Sequence, residues 1–335
     1  MSVQQAADEL ANVSLINIGL LRCSPIQPKI AVSLQCLELY HQIHRHKPSF
    51  SVQAMVKVLC ALHNCSYFQA LRDQFAITFD VYLDILWCVQ ELANTALKCD
   101  TPHWRMLHLC PACNHKQENE PTLIPARMDS MDGNSSLKWV DSSGHADERI
   151  FKTSYLILPD EVDIFKDDVN TSGGASPADI SETACTDNWK TANTISDNTV
   201  KVFEQTGIFI SACRHSMVQT LVEIAKYALA TTNKVLDVYG SNGVTGYDIG
   251  CSYQKTIDAS SISVKAHSNH HRFIINSFHG HAHNCHCQLW FHPLYQHGLG
   301  LEDLEMCERV FSASNAVAPV IHHASYFHWL QFIDL

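Results

Sequence analysis

The chain has 335 residues, 46% of them hydrophobic and 17% charged, with 14 cysteines and a formal net charge of −11. That is enough apolar material for one large globular domain or two modest ones, whereas the longest apolar run near the start, residues 14–21 (SLINIGLL), falls far short of the roughly 18 residues a membrane span needs. No membrane partner and no secretory signal are expected, and cysteines spread through helix-like and strand-like segments point to a reducing compartment rather than to a small disulfide scaffold.

Residues 29–98 read as helices. The segment 51–62 places Met55, Val58, Leu59 and Leu62 on one face, and 81–97 repeats the pattern through Ile85, Leu86, Val89 and Leu92. Pro48, Ser49 and Ser51 supply the stop and start between helices. Cys36, Cys60 and Cys88 fall on apolar helical faces and read as small core residues. This defines an all-helical N-terminal region over residues 1–100.

Composition changes near Pro102, and residues 101–335 read as a second region. Extended runs appear at 123–131, 136–140 and 207–213. Between them, about residues 160–200 are rich in Ser, Thr, Asn and Asp and read as an acidic, partly disordered surface insertion. Residues 118–197 hold 16 acidic side chains against 6 basic ones, so the chain's negative charge is concentrated there. The overall sum therefore says nothing against a DNA-facing surface elsewhere. Beyond the insertion, 217–229 has helical spacing, GSNGVTG breaks the chain, 247–251 and 273–278 read as strands, and 302–314 reads as a helix with acids near its start. The order suits an α/β fold, a mixed sheet flanked by helices.

Three acidic positions stand out. Asp132 follows the first strand, Asp248 lies in YDIGC, and Glu305 or Glu308 lies on the last helix. Carboxylates far apart in sequence that converge from strand ends and a facing helix make a site for hard divalent cations, two of which activate the attacking oxygen and stabilise the leaving oxygen in phosphoryl transfer. Asp129, three residues before Asp132, is the alternative ligand if the strand ends sooner. A second constellation is CPAC, Cys110 and Cys113, a C-x-x-C knuckle suited to zinc that needs two more ligands. Cys213 with His215, in CRH, is the preferred completing pair, and His283 with Cys287 the other. Twelve histidines fall between His267 and His328; His279, His281 and His283 alternate and would share one face of a strand, with His283 the first functional candidate. Arg214 suits either a DNA phosphate or a neighbouring carboxylate.

Five ordered blocks, MDGNSSLKW (131–139), TGIFISACRH (206–215), GYDIGC (246–251), SFHGHAHNCHCQ (277–288) and GLGLEDLEMCERVFSASNA (298–316), resemble the transposase of fungal Kyakuja-Dileera-Zisupton (KDZ) elements. The upstream helical segment and CPAC resemble the region preceding that core. The resemblance implies an RNase H-like fold with a DDE triad formed by Asp132, Asp248 and Glu305, with Glu308 as second choice for the third acid. It also implies Mg or Mn as the paired metals, divalent-metal-dependent DNA strand cleavage and transfer, transposon ends and target DNA as partners, an oligomer as a possible assembly, and nuclear action, although no basic cluster marks a localisation signal. Relatives carry an upstream cysteine cluster and a long downstream helical part, so the comparison implies a copy truncated at both ends. The alternative function is then a catalytically inactive relic acting as a zinc-containing DNA-binding or interaction module.

Overall fold

The computed structural model describes residues 10–24, 30–140, 144, 146–171, 203–205, 207–223 and 227–334. Most of the insertion expected at about 160–200 lies outside the described residues. Two compact units emerge, Met1–Pro102 and His103–Leu335.

The first unit is mainly helical. Helix α1 (Ala11–Asn17) leads into a short antiparallel pair, β1 (Leu20–Arg22) and β2 (Ala31–Ser33), where the sequence reads as helix alone. Three longer helices follow: α2 (Leu34–His46), α3 (Val52–Leu62) and α4 (Gln69–Ala96). Ser33 and Ser51 start α2 and α3 by accepting hydrogen bonds from the Cys36 and Ala54 amides, both at 3.2 Å, which satisfies donors that have no partner inside a helix. Tyr40 sits at the centre of the core, edge-on to Phe75 and Phe79. Cys60 belongs to that core and Cys36 is half-buried against it, but Cys88 is exposed, as are Val89 and Leu92. The apolar stripe of α4 continues beyond the point where the other helices of this unit cover it.

The second unit is built on a five-stranded mixed sheet: β3 (Arg127–Asn134), β6 (Ile208–Cys213), β7 (Val218–Glu223), β8 (Gly243–Gly246) and β9 (Arg272–Ile274), in the spatial order β7-β6-β3-β8-β9. A separate small pair joins β4 (Trp139–Val140) and β5 (Phe203–Gln205). Strands β3, β8 and β9 are parallel, and β6 runs antiparallel to both β3 and β7. One face packs on the helices Tyr227–Tyr239 and Gly250–Ala259 through Met131, Phe209, Val222 and Phe273. The other packs on Met306–Ser314 and Tyr326–Asp334 through Ile208, Ile210, Leu221 and the fully buried Trp329. Alternation along β3 therefore sends Met131 to the first face and Ser130 and Asp132 to the second.

Two segments differ from the sequence reading. Residues 217–229 form strand β7 and only then a helix, because VQTLV is short, β-branched and buried on both faces, and periodicity in so short an apolar run does not separate strand from helix. GSNGVTG, read as a break, contains the strand β8, and YDIGC, read as a strand, is the turn after it. The glycines are demanded by packing: a Cβ at Gly243 would stand 2.8 Å from the His271 ring, and one at Gly246 would stand 2.6 Å from Asn276 Oδ1 and 2.7 Å from Leu304 Cβ. A central strand this tightly flanked needs residues without side chains.

Candidate active site and metal centres

The parallel register of β3 and β8 opposes Ser130 to Gly246. Two residues further along each chain stand Asp132 and Asp248, so both carboxylates emerge at the same end of the sheet. Asp132 lies within β3, opposite Ile210 of β6, and its Oδ1 accepts the Gly133 amide at 2.6 Å. The helix Met306–Ser314 closes the site. Cys307 packs beneath it, its Sγ 3.4 Å from Ser130 Oγ, which fixes the first turn of Met306–Ser314 over the face to which Asp132 points. Glu308, in that first turn, is exposed, and Glu305 sits at the N-cap.

Charge is concentrated here with little to balance it. Burial, then the carboxylates of Asp248, Glu308 and Glu305, push the Asp132 acid up to about 8. Burial and Glu308 also raise Asp248, with His279 acting in the opposite direction. Asp248 Oδ1 accepts from Asn276 Nδ2 at 2.9 Å and lies 3.1 Å from His279 Nδ1, which in turn stands 3.9 Å from Glu305 Oε2. Glu305 Oε1 is already engaged by the Phe278 amide at 2.8 Å, and burial raises its acid in spite of that bond. Among the described residues no Lys or Arg pairs with Asp132, Asp248 or Glu308. Arg309, next to Glu308, pairs instead with Asp303, and Arg214 pairs with Glu302 at 3.1 Å. Asp129 is on the opposite face, buried and bound by Arg127 Nε at 2.7 Å and Gln219 Nε2 at 2.5 Å, a pairing that holds the strand and the Arg127 guanidinium over the Tyr239 ring.

The second constellation gathers Cys110, Cys113, Cys213 and His215, whose ligand atoms all lie within 4.8 Å of one another. Cys110 is the N-cap of the short helix Pro111–Asn114 and Cys113 lies within it, Cys213 ends β6, and His215 lies in the β6–β7 turn. His215 Nδ1 is 3.4 Å from Cys110 Sγ and 3.2 Å from Cys113 Sγ. The Cys113 thiol together with the His215 and Met217 amides hold Cys213 down to about 4, and Cys113 is raised in turn. One thiol in this group is thus already favoured as thiolate, the form that binds metal.

A family model for the Kyakuja-Dileera-Zisupton transposase matches residues 125–335. The chain belongs to the KDZ transposase family. No curated protein and no solved structure matches it. In this KDZ chain the match begins just before β3 and takes in all five sheet strands and all four acids.

His283 and Cys287, the other pair considered for CPAC, do not approach it. They meet Cys251 instead, and these three ligand atoms also lie within 4.8 Å of one another. Nor do His279, His281 and His283 share a strand face. β9 ends at Ile274, Ser277–Gly280 is a helical turn in which the Gly280 amide bonds the Asn276 carbonyl at 2.8 Å, and the three rings diverge: His279 to the acids, His281 towards His292, His283 to Cys251. The sequence reading does not single out Cys251 or Asn276, and it places His279 on a strand face rather than beside the acids. Cys251 is legible only with YDIGC read as a turn into a helix, which brings Cys251 into the first turn behind Asp248.

Proposed function

We propose that Asp132, Asp248 and Glu308 hold two divalent cations, Mg or Mn, and that the chain cuts and joins DNA strands as a DDE-type transposase core on an RNase H-like sheet. The observation that carries this is the buried Asp132, emerging at the same end of the sheet as Asp248 and electrostatically coupled to Asp248 and Glu308, with no Lys or Arg among the described residues paired to them. Like charges gathered in a partly buried cleft are costly without a cation, and an all-oxygen donor set is what hard divalent ions take. The strand order, with the second strand alone antiparallel to the rest, supports the RNase H-like reading.

Glu308 is preferred over Glu305 as third acid because Glu305 is committed to the Phe278 amide, whereas Glu308 is exposed and makes the larger contribution to raising Asp132. The Gly133 amide orients Asp132, and Asn276 and His279 orient Asp248. Glu305 Oε2 stands 3.9 Å from the same His279 Nδ1 that approaches Asp248. Bound here, the cations would activate an attacking oxygen and stabilise the leaving oxygen of a phosphodiester. Cys110, Cys113, Cys213 and His215 form a complete tetrahedral donor set for structural zinc, tying the segment before β3 to the β6–β7 turn. With DNA as substrate, the activity is nuclear.

The test is Mn2+-dependent nicking of a supercoiled plasmid by the full chain. D132N, D248N and E308Q each lower the rate by about 100-fold or more, and E305Q by far less. No nicking by the unchanged chain, or a rate that D132N and D248N leave untouched as a contaminating nuclease would, overturns the reading and leaves the zinc-containing, catalytically inactive module.

A further inference from the structure

The geometry points to a second zinc ion, held by Cys251, His283 and Cys287, that fixes the turn carrying Asp248. The three residues arrive separately: Cys251 in the first turn of Gly250–Ala259, His283 in the loop after Ser277–Gly280, and Cys287 in the first turn of Cys285–Phe291. Cys251 and His283 are buried. The donor atoms stand within 4.8 Å of one another, and this group shares no residue with the Cys110 group.

Histidine orientation is the strongest argument. His283 Nε2 lies 3.0 Å from the Asp248 carbonyl oxygen, and Nδ1 lies 3.5 Å from Cys251 Sγ. A carbonyl oxygen only accepts, so the hydrogen is on Nε2, and the Nδ1 lone pair faces the thiols. That tautomer, anchored through its other nitrogen to a backbone carbonyl, is how metal-binding histidines are usually held. The ligand loop is braced as well: Gln288 Nε2 donates to the His283 carbonyl at 2.8 Å, and Asn284 Oδ1 accepts the Cys287 amide at 2.9 Å. Such bonds hold the donors in place before any ion arrives.

Two thiolates and one imidazole suit zinc and disfavour Mg. Binding releases the two thiol protons, so two thiolates balance the charge of Zn2+, and a solvent molecule completes the tetrahedron. The consequence for catalysis rests on the active-site reading above. His283 holds the backbone of Asp248 while Asn276 and His279 hold its side chain, so the ion would position this acid relative to Asp132 without touching substrate.

The experiment measures zinc per chain in the full-length protein purified under reducing conditions. C287S and H283A each carry one zinc fewer than the unchanged chain, and C88S, at an exposed cysteine, carries the same number. Equal zinc in all four overturns the proposal. Should the variants fail to fold, alkylation of the unchanged chain decides: Cys287 is protected from iodoacetamide when zinc-loaded and becomes modified after a chelator. Modification indifferent to the chelator, or appearing only after added reductant as a Cys251–Cys287 disulfide requires, contradicts the site. Both readouts apply equally to D132N, so loss of the cleavage reading leaves them intact.

Discussion

Replacing Asp132 by Asn removes a charge without changing shape, and the Asn Oδ1 still accepts the Gly133 amide that now bonds Asp132 Oδ1. The acid is raised from 3.8 to about 8, and each tenfold change in proton affinity corresponds to about 1.4 kcal/mol, so the ionised form costs the cation-free fold at most about 6 kcal/mol. The open side of the cleft, where Glu308 is exposed, screens part of this, and a cost of about 2–3 kcal/mol is expected. The sign follows from proton binding. Between about pH 4 and pH 8 the folded chain holds a proton that the unfolded chain has released, so stability falls as pH rises through that window. In buffer without added Mg2+ or Mn2+, with zinc retained, D132N and the unchanged chain should melt together at about pH 3.5, below the unfolded acid's pKa. At pH 8 D132N should melt about 5–10 °C higher. Added Mn2+ should then raise the unchanged chain and leave D132N where it is. A D132N chain that melts at or below the unchanged one at pH 8, or a difference identical at both pH values, would refute the reasoning.

Other outcomes follow from the same packing. Replacing Arg127 by Met strands Asp129, 1% exposed, beside Gln219 alone, and urea unfolding should show a loss of about 3–5 kcal/mol. W329A empties a wholly buried site and frees the Leu137 carbonyl that its Nε1–H now bonds at 3.2 Å, at a cost of about 3–5 kcal/mol by the same assay. G246A drives a methyl against Asn276 Oδ1 and Leu304; a loss of about 1–3 kcal/mol is expected, with nicking reduced further than stability because Asn276 orients Asp248. In C213S, zinc content should fall, and a chelator should lower the melting temperature by less than it lowers that of the unchanged chain.

Much of this is legible in the sequence because some residues carry their structural reason with them. Ser51 before an apolar helical run marks a helix start, and IFISAC is buried strand by composition alone. CRH pairs with CPAC because thiols and imidazole together suit one ion, and the chain brings these four residues together. The convergence of Asp132 and Asp248 is suggested by their places after strands, but its cause, the parallel register of β3 and β8, depends on which strands are neighbours. The misreadings share a physical origin. VTG reads as a break because glycine usually marks one; here it marks the crowding of a central strand by His271, Asn276 and Leu304. HGHAH alternates like a strand, yet it follows the end of β9, where the chain turns away and each ring meets different neighbours. Cys88 sits on an apolar helical stripe, but only tertiary contacts decide how far along α4 that stripe is covered.

The location of bound manganese tests the acidic site most directly. Crystals of the full chain grown with Mn2+ and measured at its absorption edge should show anomalous peaks ligated by Asp132, Asp248 and Glu308, with Glu305 still bonded to the Phe278 amide. Peaks elsewhere, or none at these three carboxylates at saturating Mn2+, would contradict it.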